Sequence, residues 1–359
     1  MNRTFSSTSK GLSRVYVEAV FLLVTVAAAA VFYAIFYGNF VGMEESVGVQ
    51  VVSAAMVLDG SRVRITVTVK NTGTVAVDGV FVEGVDDCGK TFKLALPPPD
   101  VGQSTSATLI IPTNVNDLVL DASGNNRHGR LYYGEWVEGK TGFGLKFNGT
   151  DGGVTVPCPY LVYNKTVFAW INRIGSSRAT LWTVDDPEWG YRGWAFALTQ
   201  SNPYFRIGDG VGGENKISSQ TVPSDVWTFL AARYNRIFNQ VEFFVDQSKS
   251  TQYTFTRTPV QYFNTANVGS DDRIDNEVGL NGVIDQVCVY DRLLSDQEIL
   301  LTQKNPSIVV TRGLVAWYPM DEGNSLPFKF TVGKVYTLTI TSYTVTGTVS
   351  SKMVKVTCS

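Results

Sequence analysis

Histidine is nearly absent from this chain: His128 stands alone among 359 residues. A Ser-His-Asp triad, a Cys-His pair or a two-histidine metal site would have to be built around that one position. His128 lies in the run NNRHGR, which reads as a turn or packing residue. No GxSxG occurs, and no ExDxxE string supplies the paired carboxylates of a jelly-roll glycosidase. The four cysteines, Cys88, Cys158, Cys288 and Cys358, are too widely spaced for a zinc-type CxxC pattern. Charge is also scarce. Charged residues make up 17% of the chain and the net charge is −2, which gives no support to nucleic-acid binding. What is abundant is apolar material, at 44%, enough for the cores of two or three domains.

The longest apolar run, Val15 to Val41, contains Glu18 as its one carboxylate and follows directly on Lys10-Gly11-Leu12-Ser13. As an α-helix, residues 12–40 would measure about 43 Å, more than the roughly 30 Å of a membrane hydrocarbon core. Arg3, Lys10 and Arg14 would keep the preceding end cytoplasmic. Ordinary signal cleavage near Ala27–Ala30 and a permanent membrane anchor are the two plainer alternatives. The basic-small pair before the apolar run resembles the class III signal peptides of archaeal type IV pilins, with Arg14 standing where that family often has proline. The resemblance implies cleavage between Gly11 and Leu12. It also implies assembly through a long hydrophobic helix, in which Glu18 meets the new α-amino group of Leu12 on a neighbouring subunit. The alanines at 27–30 would permit close helix approach.

Beyond residue 46, Val, Thr, Tyr and Phe fall in short alternating runs separated by Gly, Asn and Asp, the pattern of antiparallel strands. Two separated blocks, 47–112 and FKFTVGKVYTLTITS with VSSKMVKVTC near the end, look like halves of one sandwich. Together they resemble the immunoglobulin-like head of archaeal pilins and archaellins. The intervening DLVLDASGNN, GKTGFGLKFNG and GLNGVIDQVCVYDRLLSDQEI resemble, in order, the laminin-G-like, concanavalin A-like jelly roll. That family opens with a strand such as GLVAWYPMDEG, which here comes last, so the resemblance implies a circular permutation. The fold expected is mainly β with one long N-terminal hydrophobic α-helix, an Ig-like sandwich being interrupted by a jelly-roll sandwich. The corresponding domains are 1–11 signal peptide, 12–43 helix, 44–112 plus 327–359 head, and 113–326 insert.

On that division the even cysteine count favours the disulfides Cys88–Cys358 and Cys158–Cys288 among three possible connectivities, with buried free thiols as the alternative. Asn148-Gly149-Thr150 and Asn164-Lys165-Thr166 are N-glycosylation sequons. Trp182, Trp189, Tyr191 and Trp194 offer flat faces for a sugar ring, or else fill a core. Asp271, Asp272 and Asp275 offer hard oxygens for calcium, the one cofactor with ligands on offer; none is required. The expectation is a non-enzymatic subunit of an archaeal surface filament, inserted in the cytoplasmic membrane before assembly. Its partners would be like subunits, a prepilin peptidase, the assembly machinery and surface glycans. A membrane-anchored glycan-binding protein that never polymerises and an archaellin-like filament subunit are the alternatives.

Overall fold

In the run RVRITVTVKN every second residue is apolar, and a computed structural model shows Val63, Ile65, Val67 and Val69 fully buried along the strand Arg62–Asn71. The structure describes residues 46–158, 163–175, 179–185, 192–260, 264–270 and 279–359. Two sandwiches are built from the described residues, and both lie within one unit, Val47–Ser359.

The smaller sandwich has seven strands. Val49–Asp59, Arg62–Asn71 and Ser104–Pro112 form one sheet; Val349–Thr357, Val335–Tyr343, Gly79–Val85 and Thr91–Leu96 form the other. Val335–Tyr343 pairs directly with Gly79–Val85, Ile340 opposite Val82, so strands more than two hundred residues apart share one core with Ile65, Leu109, Val80 and Leu94. The last residue clips the two sheets: Leu58 N–H donates to the Ser359 carbonyl (2.8 Å) and Ser359 N–H to that of Met56 (3.0 Å).

The larger sandwich is a jelly-roll pair of sheets. Eight strands run in the order Gly213–Ile217, Asn202–Asp209, Arg192–Thr199, Ala179–Asp185, Thr265–Val268, Gly153–Pro157, Gly129–Tyr132 and Leu118–Val119. The facing nine-stranded sheet centres on Lys165–Arg173 between Thr228–Asn235 and Asn281–Tyr290; Leu314–Tyr318 also joins it, pairing antiparallel with Asn281–Tyr290.

The nine-stranded sheet is apolar on both faces. Along its central strand Val167, Ala169 and Ile171 face the eight-stranded sheet, whereas Phe168 and Trp170 face outward. Those outward rings meet Phe81, Ala95 and Tyr343 from the four-stranded sheet of the other sandwich, closing a third apolar core around Trp317 and Tyr290. Burying each large aromatic side chain there contributes about 1.5–3 kcal/mol. The short helix Asp296–Lys304 covers the rest of this face with Ile299 and Leu301, and begins in a capping box between Ser295 and Glu298.

The expectation of one long hydrophobic helix is corrected. Among the described residues the only helix is Asp296–Lys304, and none is long and apolar enough to cross a membrane. Apart from that helix the regular structure of the described residues is all strand, because their apolar residues recur at every second position rather than at every third or fourth. Residues 12–43, on which the helix was placed, and the sites Gly11, Leu12 and Glu18 lie outside the described residues.

Candidate functional site

The two sheets of the jelly roll differ in what they leave open. The inward face of the eight-stranded sheet packs Val154, Val156, Val184, Trp194, Phe196 and Phe205 into the core, while on its outward face the edge residue Leu118, paired with Arg130, joins the core of the smaller sandwich and the strands beyond it carry a polar row. Side chains alternate along each strand and directly paired residues share a face, so the register shows which residues line that outward side. Arg130 pairs with Thr155, Thr155 with Asn267, Asn267 with Thr183, Thr183 with Ala195, Ala195 with Arg206, and Arg206 with Asn215. These seven residues form one row across seven strands, about 29 Å long at roughly 4.8 Å per strand.

The row is polar except for its one alanine. Arg130, Thr155 and Asn215 are exposed, Arg206 is half-buried, and Asn267, Thr183 and Ala195 form a buried floor. Thr155 Oγ1 donates to Asn267 Oδ1 at 3.0 Å, and one strand further the Thr183 hydroxyl is buried with no partner among the described residues. Tyr132 and Ser270 flank the row, joined through their hydroxyls at 2.5 Å. Amides, hydroxyls and guanidinium groups on a shallow surface match the donors and acceptors of a sugar chain.

Two other polar clusters spend their groups internally. A groove of about 510 Å³ beside the helix is lined by Arg233, Glu242, Lys249, Arg292 and Glu298. There Arg233 bonds Glu242 (2.5 Å) and the Leu294 carbonyl (2.6 Å), and Arg292 grips Glu298 at 2.5 and 3.0 Å. The second cluster lies at the junction of the sandwiches, where Lys93 Nζ meets Asp321 Oδ2 at 2.6 Å. Asp285 stands beside them, its Oδ2 accepting from Thr141 N–H (3.0 Å) and its Oδ1 buried with no partner among the described residues. A bulge opposite Ala169, with Gln286 at φ 52°, turns the Gln286 amide onto Trp317 Nε1 (3.0 Å).

Burial raises Asp285 well above the usual carboxylate range, and raises Asp321 despite Lys93. Burial pulls Lys93 down, but Asp321 more than restores it and holds the ammonium above its ordinary value. Glu322, wholly enclosed with Oε1 accepting from Leu120 N–H (2.6 Å), is pushed up by burial to about 8. These carboxyls are enclosed at a packing junction rather than arranged around an open cleft.

The residues singled out from the sequence fall elsewhere. Trp182 and Trp194 are fully buried and stack on each other with centroids 6.2 Å apart, so they fill the core and present no face to an external sugar. Trp189 and Tyr191 lie outside the described residues, as do Asp271, Asp272 and Asp275; no metal-binding cluster occurs among the described residues. The disulfide expectation is corrected: all four cysteines are free thiols. Cys158 packs between the two jelly-roll sheets and Cys288 on the opposite face of the nine-stranded sheet, so a sheet separates them. Cys88 is exposed while Cys358 is buried. His128 packs: its Nδ1 accepts from Asp121 N–H (3.1 Å), its Nε2 meets the Ile110 carbonyl (2.6 Å), and burial lowers its pKa.

Residues 148–300 match the family described as the concanavalin A-like lectin/glucanases superfamily. No curated protein matches the chain. Similar solved structures include the Ruminococcus gnavus IT-sialidase CBM40 bound to alpha2,3 sialyllactose (14% identity, TM-score 0.38, covering 45% of this chain and 96% of that one). Domain 4 of AbnA, a GH43 extracellular arabinanase from Geobacillus stearothermophilus, in complex with arabinotriose, is 17% identical, with TM-score 0.41 over 52% of this chain and 98% of that one. The heptameric SAP-like pentraxin of Limulus polyphemus is 9% identical, with TM-score 0.37 over 59% and 94%. The lectin-like jelly roll is thus carried by the family match and by the sheets themselves.

Proposed function

We propose that this protein binds glycans along the outward face of its eight-stranded sheet and displays that face at the cell surface, as a subunit of an extracellular filament. The observation that carries the binding clause is the row from Arg130 to Asn215, polar but for Ala195 and with Arg130, Thr155 and Asn215 exposed. At about 29 Å it is long enough for several sugar rings of an extended chain. Binding rather than turnover is supported by the enclosure of Asp285, Asp321 and Glu322 away from that face. The filament clause draws its support from the sequence Lys10-Gly11-Leu12, which invites cleavage after Gly11. Like subunits, a peptidase acting at that bond and surface glycans are then its partners.

Titration of the purified protein against an oligosaccharide panel, with and without calcium, tests the binding clause. The variant Arg130→Ala/Arg206→Ala should lose a hit by at least tenfold with an unchanged melting temperature; retention of full affinity sinks the row as the site. The filament clause is tested separately by the N-terminal peptide of protein sheared from cells. A start at Leu12 within filaments supports it, and an intact Met1 confined to membranes overturns it.

A further inference from the structure

The structure assigns Asn148, and not Asn164, as an acceptor for N-linked glycosylation. Both begin an Asn-x-Thr sequon, and the fold treats them oppositely. Asn148 closes the strand Phe143–Asn148, and the chain then turns through Gly149 at φ 88°, where a Cβ would meet the Asn281 side chain at 3.0 Å. Asn148, Thr150 and Asp151 are exposed. Asn148 Oδ1 accepts from Thr150 N–H (3.0 Å) and from the Thr150 hydroxyl (2.9 Å), while Nδ2 donates to Asp151 Oδ1 at 2.7 Å. The sequon is therefore an exposed surface turn in which the threonine hydroxyl lies against the acceptor amide and the Asp151 carboxylate, and the amide nitrogen bonds Asp151 rather than the sheet.

Asn164 leads instead into the central strand of the nine-stranded sheet. Lys165 and Thr166 are fully buried, and Thr166 is paired with Arg233 on one side and Tyr290 on the other. The Thr166 hydroxyl donates to the Arg292 carbonyl (2.9 Å) and accepts from Leu294 N–H (3.0 Å). Asn164 Oδ1 accepts from Arg236 N–H at 2.8 Å. Presenting this sequon to a transferase would require pulling the central strand out of its sheet.

In the reaction, Asn148 Nδ2 bonds to the anomeric carbon of a lipid-linked oligosaccharide as the bond from that carbon to the lipid phosphate oxygen breaks. The phosphate leaves as an anion and the amide gives up one proton. The inference rests on the surface reading only in that the chain must reach the transferase in the cell, and an assay that supplies purified oligosaccharyltransferase and donor removes that dependence. The folded full chain should gain a glycan mapped to Asn148 and none at Asn164. Asn148→Gln and Thr150→Ala should lose it, Thr150→Ser should restore it, and Asn164→Gln should change nothing. The chain held unfolded in urea should accept at both sites. An unmodified Asn148 in the folded chain, or equal occupancy of Asn164, overturns the assignment; an unmodified Asn164 in the unfolded chain overturns its explanation by burial.

Discussion

The two sheets of the jelly roll are built from similar strands and end in opposite situations. The nine-stranded sheet carries bulky apolar residues on both faces, Ile171 and Val289 on one and Phe168, Trp170 and Tyr290 on the other, and is buried twice. The eight-stranded sheet packs them into the core from one face; on the other, between Leu118 at one edge and Tyr204 and Ile217 towards the opposite edge, lie Thr155, Thr183, Ala195, Arg206 and Asn215. A second apolar face commits a sheet to packing, and here it joins the jelly roll to the smaller sandwich. A polar face leaves a surface free to meet a partner.

The contrast breaks most readily at the doubly buried face. Trp317→Ala should cost about 3–5 kcal/mol, the usual range for emptying a large aromatic site in a core. Chemical denaturation checks this; a loss below about 1 kcal/mol would mean that the junction contributes little.

Acidity probes the same junction. Glu322 is held at about 8 in the fold against an ordinary 4.5, so the folded state binds the extra proton between those values. Its stabilising contribution is complete below about 4.5, declines as pH rises through the window, and is gone above about 8. Glu322→Gln should remove that decline and, at pH 9, raise stability by roughly 3 kcal/mol. A tenfold change in proton affinity is worth about 1.4 kcal/mol, and relaxation around the ionised carboxylate recovers part of the total. Melting curves of the two proteins from pH 5 to 9 that run parallel would refute it.

On the open face the expectation is reversed. Thr183→Val replaces a buried hydroxyl that has no partner among the described residues, and should raise stability by up to about 1 kcal/mol while weakening any bound glycan. Destabilisation would show that the hydroxyl has a partner in the free protein. An effect of similar size is expected at the helix lying on the nine-stranded sheet: Ser295→Ala removes a cap to Glu298 N–H (3.2 Å) and should cost about 1 kcal/mol. Urea denaturation measures it, and an unchanged midpoint would show that packing of Ile299 and Leu301 alone holds that helix.

Much of the β architecture could be read from the residues. The alternation in RVRITVTVKN and the strings GKTGFGLKFNG and GVIDQVCVY pointed to strands and to a lectin-like jelly roll, and the family match over 148–300 agrees. The candidate site was not legible. Arg130, Thr155, Thr183, Asn267 and Asn215 are spread over more than a hundred residues and carry no spacing motif, because a row across a sheet is ordered by register and not by position in the chain. A signal was present in part: VTV, WTV and ANV place polar residues between apolar ones, but nothing in a single strand says which strands will be neighbours. The tryptophans misled for a related reason. Trp182 and Trp194 are close in sequence and also close in space, yet both point into the core.

By itself, then, the sequence determined that this chain makes strands and where apolar side chains recur, since period-two alternation is a local property of each segment. Which face of a sheet met water was decided only in the tertiary structure. The run KTVFAWIN has apolar residues on both sides and is satisfied by burial between any two partners. Its actual partners, the eight-stranded sheet and the strand holding Phe81, come from distant parts of the chain. The same packing sealed one glycosylation sequon within a sheet and left the other on a turn, although the two tripeptides are chemically alike.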